Sequence, residues 1–164
     1  MTVERLLDLY AHMRWADGEV WDSVLSSEAC AGDERILATL HHLHTTQLAF
    51  LDVWLGREFE FRRRDGEDAA AVRALADTFH DQVRAYLGSV RDDALGGELT
   101  VPWTKYFEKR LGRSAGRVKL GESMYQVVSH SMHHRGQVSM LIRELGADPP
   151  LVDYIVWLWL DRPT

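Results

Sequence analysis

From Val3 to Leu25 the apolar positions Val3, Leu6, Leu7, Tyr10, Met13, Val20, Trp21 and Val24 recur mostly at three- and four-residue intervals. That spacing puts them on one face of an amphipathic helix. Asp17-Gly18 marks its weakest point, because glycine inside a helix costs roughly 1 kcal/mol relative to alanine. Ser26 to Gly32 reads as a connector of small residues. Asp33 is suited to cap a second helix running to Gly56, with Ile36, Leu40, Leu43, Phe50 and Trp54 on its stripe. The charged segment Arg57–Asp68, with Gly66 inside it, reads as a loop. A third helix carries Val72, Leu75, Phe79, Val83, Tyr86 and Val90 on one face. A long irregular stretch, Asp92–Gly121, follows. Its LTVPWTKYF has β-like residues, but Pro102 and the lack of an evident partner strand argue against a sheet. A fourth helix spans Glu122 to Leu145 and is stopped by Gly146 and Pro149-Pro150. A short final helix, Val152–Leu160, contains Trp157 and Trp159.

Four amphipathic helices and one long connection predict an all-α four-helix bundle. The long crossover connection falls between the third and fourth helices, and a single domain covers residues 1–164. A 164-residue chain, 46% hydrophobic and 27% charged, has the size and composition of one globular domain. No run of about eighteen apolar residues exists, and the opening MTVERLLDLY carries charge where a signal peptide needs an apolar core. The expectation is a soluble cytoplasmic protein with no membrane partner. Cys30 is the single cysteine, so no internal disulfide forms, and with no histidine near it in sequence it reads as an inert thiol. A net charge of −6 argues against nucleic-acid binding. Arg62-Arg63-Arg64, followed by Asp65, Glu67 and Asp68, reads as a solvated loop. Trp157-Leu158-Trp159-Leu160 puts aromatics on more than one helical face, which predicts a homodimer.

Eight histidines exceed what composition requires, and their placement carries the chemistry. In HSMHHRGQVSMLIRELG, residues 130–146, His130 and His134 lie one helical turn apart on one face. That face continues through Val127, Val138, Leu141 and Leu145, and His133 points about 100° away, toward the edge. Two imidazoles on an apolar stripe need partners, since an unsatisfied buried polar group costs about 1–3 kcal/mol. Either a divalent cation satisfies both nitrogens, or both are core histidines bonded to carbonyls or carboxylates. No HExxH is present, so the zinc-protease reading lacks its glutamate.

A third ligand must come from elsewhere, and the cluster LHHLHTT offers His41, His42 and His44. His44 lies near the row Leu37, His41, Leu48, Leu51 and Leu55. His42 lies near the smaller residues Ala38, Thr46, Ala49 and Val53, which leave room for a metal and a substrate. Periodicity does not choose among the three. His12 and His80, without histidine neighbours, read as structural.

The stretch HSMHHRGQ at 130–137, its helix ending in Leu145-Gly146, the following Pro149-Pro150 and Asp153, and the spacing of His42, Phe50 and Gly56 resemble the DinB-like family. The opening LLDLYAHMRWADGEVWDSVL is similar to that family's first helix, so the resemblance covers nearly the whole chain. It implies a four-helix bundle with three metal-binding histidines facing a pocket, here His42, His130 and His134. Gln47 stands where many relatives are expected to carry an acid. One divalent first-row ion is expected, nickel or zinc, since neutral imidazole suits both. The family's thiol chemistry implies an enzyme that transfers a low-molecular-weight thiol to a small electrophilic substrate. A metal-dependent hydrolase and a non-catalytic metal- or ligand-binding bundle are the alternatives. No general base is evident in the sequence. Trp103, Tyr106 and Phe107 of the long connection are expected to cover the pocket.

Overall fold

Each long helix begins where a side chain can satisfy the free N–H groups of its first turn. Thr2 accepts from the Arg5 amide to open α1 (Val3–Leu25), and Asp33 accepts from the Arg35 and Ile36 amides to open α3 (Glu34–Trp54). Asp68 accepts from the Ala71 amide to open α4 (Ala69–Ser89). Glu122 reaches back to the Lys119 amide at the start of α6 (Leu120–Glu144). Gly56 and Gly146, just beyond the ends of α3 and α6, take φ of 65° and 79°, a left-handed turn that glycine adopts without strain. The computed structural model describes residues 1–60 and 62–164; position 61, inside the segment expected to be a loop, lies outside them.

The all-α bundle expected from the four stripes is present. α1 packs beside α4 and α6, and α3 packs beside the same two, so α1 faces α3 and α4 faces α6 across the core. Leu6, Tyr10 and Met13 share one apolar cluster with Leu48, Phe50, Leu51, Phe79, Val83, Leu87, Met124 and Val127. Val20, Trp21 and Val24 share a second with Ile36, Leu37, Leu40, Val72, Ala76, Val138 and Ile142. Those pairings fix the directions: α1 and α6 run one way, α3 and α4 the other. Residues 90–119 join the diagonal pair α4 and α6 across one end of the bundle. Because α3 and α4 are parallel, the chain also returns along the bundle, roughly 30 Å, between Leu55 and Asp68.

Three local features depart from the sequence reading. The connector holds one helical turn, α2 (Glu28–Ala31), capped by Ser27. The long connection contains α5 (Lys105–Leu111) and a two-residue antiparallel pair, β1 (Glu98–Leu99) with β2 (Val118–Lys119). Its partner strand lies nineteen or more positions away in sequence, beyond the reach of local pattern. The last helix, α7, is confined to Tyr154–Trp159. Trp157 is buried and Trp159 is exposed, so the two tryptophans do occupy different faces. Cys30 is fully buried in the second apolar cluster, where it acts as a small packing side chain. Among the described residues no helix is long and apolar enough to cross a membrane.

Between the two apolar clusters lies a polar layer drawn from all four long helices. The Asp17 carboxylate accepts from Arg135 at 2.7 Å, His80 Nε2 at 2.9 Å and Gln47 Nε2 at 3.0 Å. Gln47 also donates to Ser131 Oγ at 3.1 Å, and its carbonyl oxygen accepts from His44 Nδ1 at 2.9 Å. Trp21 Nε1 donates to the other nitrogen of His44 at 2.9 Å, which assigns the His44 proton to Nδ1. Burial alone would raise the Asp17 pKa; Arg135 and the His80 hydrogen bond outweigh it and hold the carboxyl well below the usual range. Among the described residues no buried side-chain nitrogen or oxygen of the layer lacks a partner, the condition under which buried polar groups are tolerated.

The C-terminal segment is tied to α1 by His12, whose Nε2 donates to the Val152 carbonyl at 2.9 Å. Burial, aided by Arg135, lowers the His12 pKa; the Val152 hydrogen bond and the carboxylates of Asp17 and Asp153 oppose this. A histidine with a lowered folded pKa contributes stability that is complete above the unfolded value of about 6.5 and is lost as pH falls below it. Urea unfolding of His12→Gln, which keeps an N–H donor and cannot charge, is therefore expected to be less pH-dependent between pH 7.5 and 5.5 than wild type. Equal slopes would remove this role for His12.

Candidate metal centre

α3 and α6 are antiparallel neighbours, and the histidines lie in the groove between them. His42 projects from α3, and His130 and His134 project one turn apart from α6. One nitrogen from each of the three lies within 4.8 Å of the others. The rings are close: His42 is 5.2 Å from His130 and 4.8 Å from His134, and the α6 pair is 4.3 Å apart, centroid to centroid. Their Nε2 atoms approach to 3.1 Å. Two nitrogens held by one cation at about 2.1 Å, with an angle of 90–110°, are roughly 3.0–3.4 Å apart, so this pair fits a shared ion. No carboxylate or cysteine joins the cluster among the described residues.

Protonation also fits. Gln137 Oε1 accepts from His134 Nδ1 at 2.6 Å, which puts the proton on that nitrogen and leaves Nε2 with a lone pair facing the cluster. His130 Nε2 faces that of His134, and its Nδ1 is buried with no hydrogen-bond partner among the described residues. Burial, and then the neighbouring His134, His42 and His133, push the His130 pKa down to about 4. Burial lowers His42, with a smaller contribution from His41, and it lowers His134 against the opposing Gln137 hydrogen bond. Three neutral imidazoles are the protonation state a divalent cation requires.

The histidines border a cavity of about 830 Å³ that His42 and His130 both line. Thr46 and Ala49 form part of its floor, the small residues of α3 expected to leave room beside His42. Trp103, Tyr106 and Phe107 wall it, as anticipated. Trp103 is held edge-on to Phe50 at 4.9 Å and tilted against Phe59 at 4.7 Å.

The return segment, expected only as a solvated loop, supplies a second wall through Phe59, Glu60, Arg62 and Arg63. Its arginines are also structural: Arg62 pairs with Asp52 at 3.3 Å, and Arg64 pairs with Glu34.

The other histidines part company. His44 is fully buried in the polar layer, and His41 lines the cavity outside the three-nitrogen cluster. His133 is exposed at the edge, its ring 5.0 Å from that of His134. His12 and His80 hold backbone and carboxylate partners elsewhere. Sequence reasoning gave no role to Gln137, although it is the last residue of the quoted HSMHHRGQ element and lies three positions after His134.

A four-helix bundle whose three converging histidines lie beside an aromatic cavity is the class that the fold and the site define. Residues 1–163 match the model of the DinB family, and the chain belongs to that family. It is 25% identical over 125 residues to the Bacillus subtilis protein YizA, whose function is uncharacterized, covering 76% of this chain and 73% of that protein. It is also similar in fold to a crystal structure of a DinB-like protein from Bacillus cereus. There the TM-score is 0.66 at 19% identity, over 93% of this chain and 98% of the other.

Proposed function

We propose that this protein is a metal-dependent enzyme that transfers a low-molecular-weight thiol to a small electrophile in the aromatic cavity. One observation carries the reading: three neutral imidazoles, with no carboxylate among them, converge where a large, mostly apolar cavity opens. His42, His130 and His134 would hold the ion, with Gln137 fixing the His134 tautomer. Bound there, a divalent cation supplies Lewis acidity undiminished by ligand charge, lowering the pKa of a thiol or water within its reach.

The chain's other residues supply binding. Phe50, Phe59, Trp103 and Phe107 exclude water and accept the apolar body of the electrophile, while Thr46 and Ala49 leave space over the histidines. With an aryl chloride the sulfur–carbon bond forms as the carbon–chlorine bond breaks; chloride leaves with the electron pair, and the thiol proton passes to buffer. The family resemblance is what favours sulfur over water as the nucleophile.

The test is to assay nickel- or zinc-loaded protein, beside a stripped control, with several small thiols and chlorodinitrobenzene. Metal-dependent, saturable thioether formation is expected with at least one thiol. Metal-dependent product without thiol would replace transfer by hydrolysis, and no metal-dependent turnover with any thiol would defeat the proposal.

A further inference from the structure

The buried polar layer is not needed to fill the core. Apolar contacts on either side of it are non-directional, and a buried ion pair such as Asp17–Arg135 seldom stabilises more than well-packed apolar residues would. Hydrogen bonds, in contrast, hold a helix at one rotation and one register. The layer grips α6 at Ser131 and Arg135, the residues immediately after His130 and His134. On α3 it is held by Gln47, five positions from His42. Gln47 Nε2 to Ser131 Oγ, at 3.1 Å, is therefore a direct strut between the two helices that carry the histidines.

We propose that Asp17, Gln47, Ser131 and Arg135 are positioning residues for the histidine cluster: together they set the rotation of α6 so that His130 and His134 meet His42. The inference rests on the three-histidine metal reading above.

Geometry gives the scale. Side-chain tips lie about 5–6 Å from a helix axis, so a 20° rotation of α6 moves the imidazoles by roughly 2 Å. Productive sites tolerate about 0.5 Å and 10–20°.

Gln47 is the junction because an amide does two jobs at once. Its oxygen accepts from His44, and its nitrogen donates to both Asp17 and Ser131. A glutamate there would have no N–H groups to donate and would face the Asp17 carboxylate. The amide is thus matched to this particular layer, at the position where an acid was expected from the resemblance.

The experiment is cobalt(II) titration of the intact protein, reading both affinity and the visible ligand-field spectrum, with urea unfolding alongside. Gln47→Met and the milder Ser131→Ala test the strut, and Val24→Ala, in the apolar cluster away from the histidines, controls for lost stability. We expect the two strut variants to weaken cobalt binding by about 10-fold, the lower end of the loss on removing a ligand's own hydrogen-bond partner because the strut acts through the helix, and to shift the spectrum. Val24→Ala should destabilise the fold and leave affinity and spectrum unchanged. Unaltered affinity and spectrum in both strut variants, or an equal change in Val24→Ala, would overturn the proposal. His134→Ala is the separate check on the site itself: wild-type cobalt affinity in that variant would remove the metal reading, and this inference with it.

Discussion

Replacing Arg135 by methionine is expected to lower the unfolding free energy by about 3–5 kcal/mol, the cost of leaving one member of a buried ion pair without its partner. The arginine and Asp17 side chains are 3% and 2% exposed, so water cannot replace the lost charge. Methionine fills much of the space, which separates the electrostatic loss from a cavity. Asp17 keeps its bonds from His80 and Gln47 but loses the cation that offsets its burial, so its pKa rises.

The sign of the pH dependence follows. In wild type the depressed carboxyl contributes stability above the unfolded value of about 3.9, and that contribution disappears as pH falls toward the folded value. In the variant the raised carboxyl protonates early and relieves its own penalty. The gap between the two proteins should be widest near neutrality and should narrow in acid. Urea unfolding at pH 7 and pH 4 measures both quantities. A loss under 1 kcal/mol at pH 7 would mean that the pair is screened in a way its burial does not indicate.

The long helices were legible in the sequence because their stripes and their caps agree. Asp33, Gly56 and Gly146 act where local pattern puts them. The polar layer is legible in the same stripes. Asp17 stands on the row Met13, Asp17, Val20, Val24, and Gln47 on the row Leu40, His44, Gln47, Leu51. His80 stands on Val72, Ala76, His80, Val83, Leu87, and Arg135 on Ser131, Arg135, Val138, Ile142. A polar residue on a buried stripe in each of four helices signals an interior network. Local propensity marks Asp17-Gly18 only as a weak point, yet α1 runs through it unbroken.

The choice among His41, His42 and His44 was not legible from periodicity. It depends on which side of α3 meets α6, a tertiary fact: His44 turns to Trp21 in the core, His41 to the cavity, and His42 to the α6 pair. The resemblance named His42, and the structure places that residue against His130 and His134. The cavity wall formed by Phe59, Arg62 and Arg63 was hidden for a similar reason. A charged segment that packs lengthwise on a bundle has the same composition as one that is merely solvated.

The most direct test is the metal content of the protein after loading with nickel or zinc and exhaustive dialysis. Wild type and the single variants His42→Ala, His130→Ala, His134→Ala and His133→Ala should be compared. Each of the first three variants lacks one of the three converging nitrogens and leaves two, too few to hold an ion whose protein ligands number three in open sites. His133 lies one residue from His134 yet points out of the cluster, so it controls for the loss of a neighbouring imidazole. About one ion per chain is predicted for wild type and His133→Ala, as for a single three-ligand site, and no stoichiometric metal for the other three. Full metal content in His134→Ala, or none in wild type, would contradict the account.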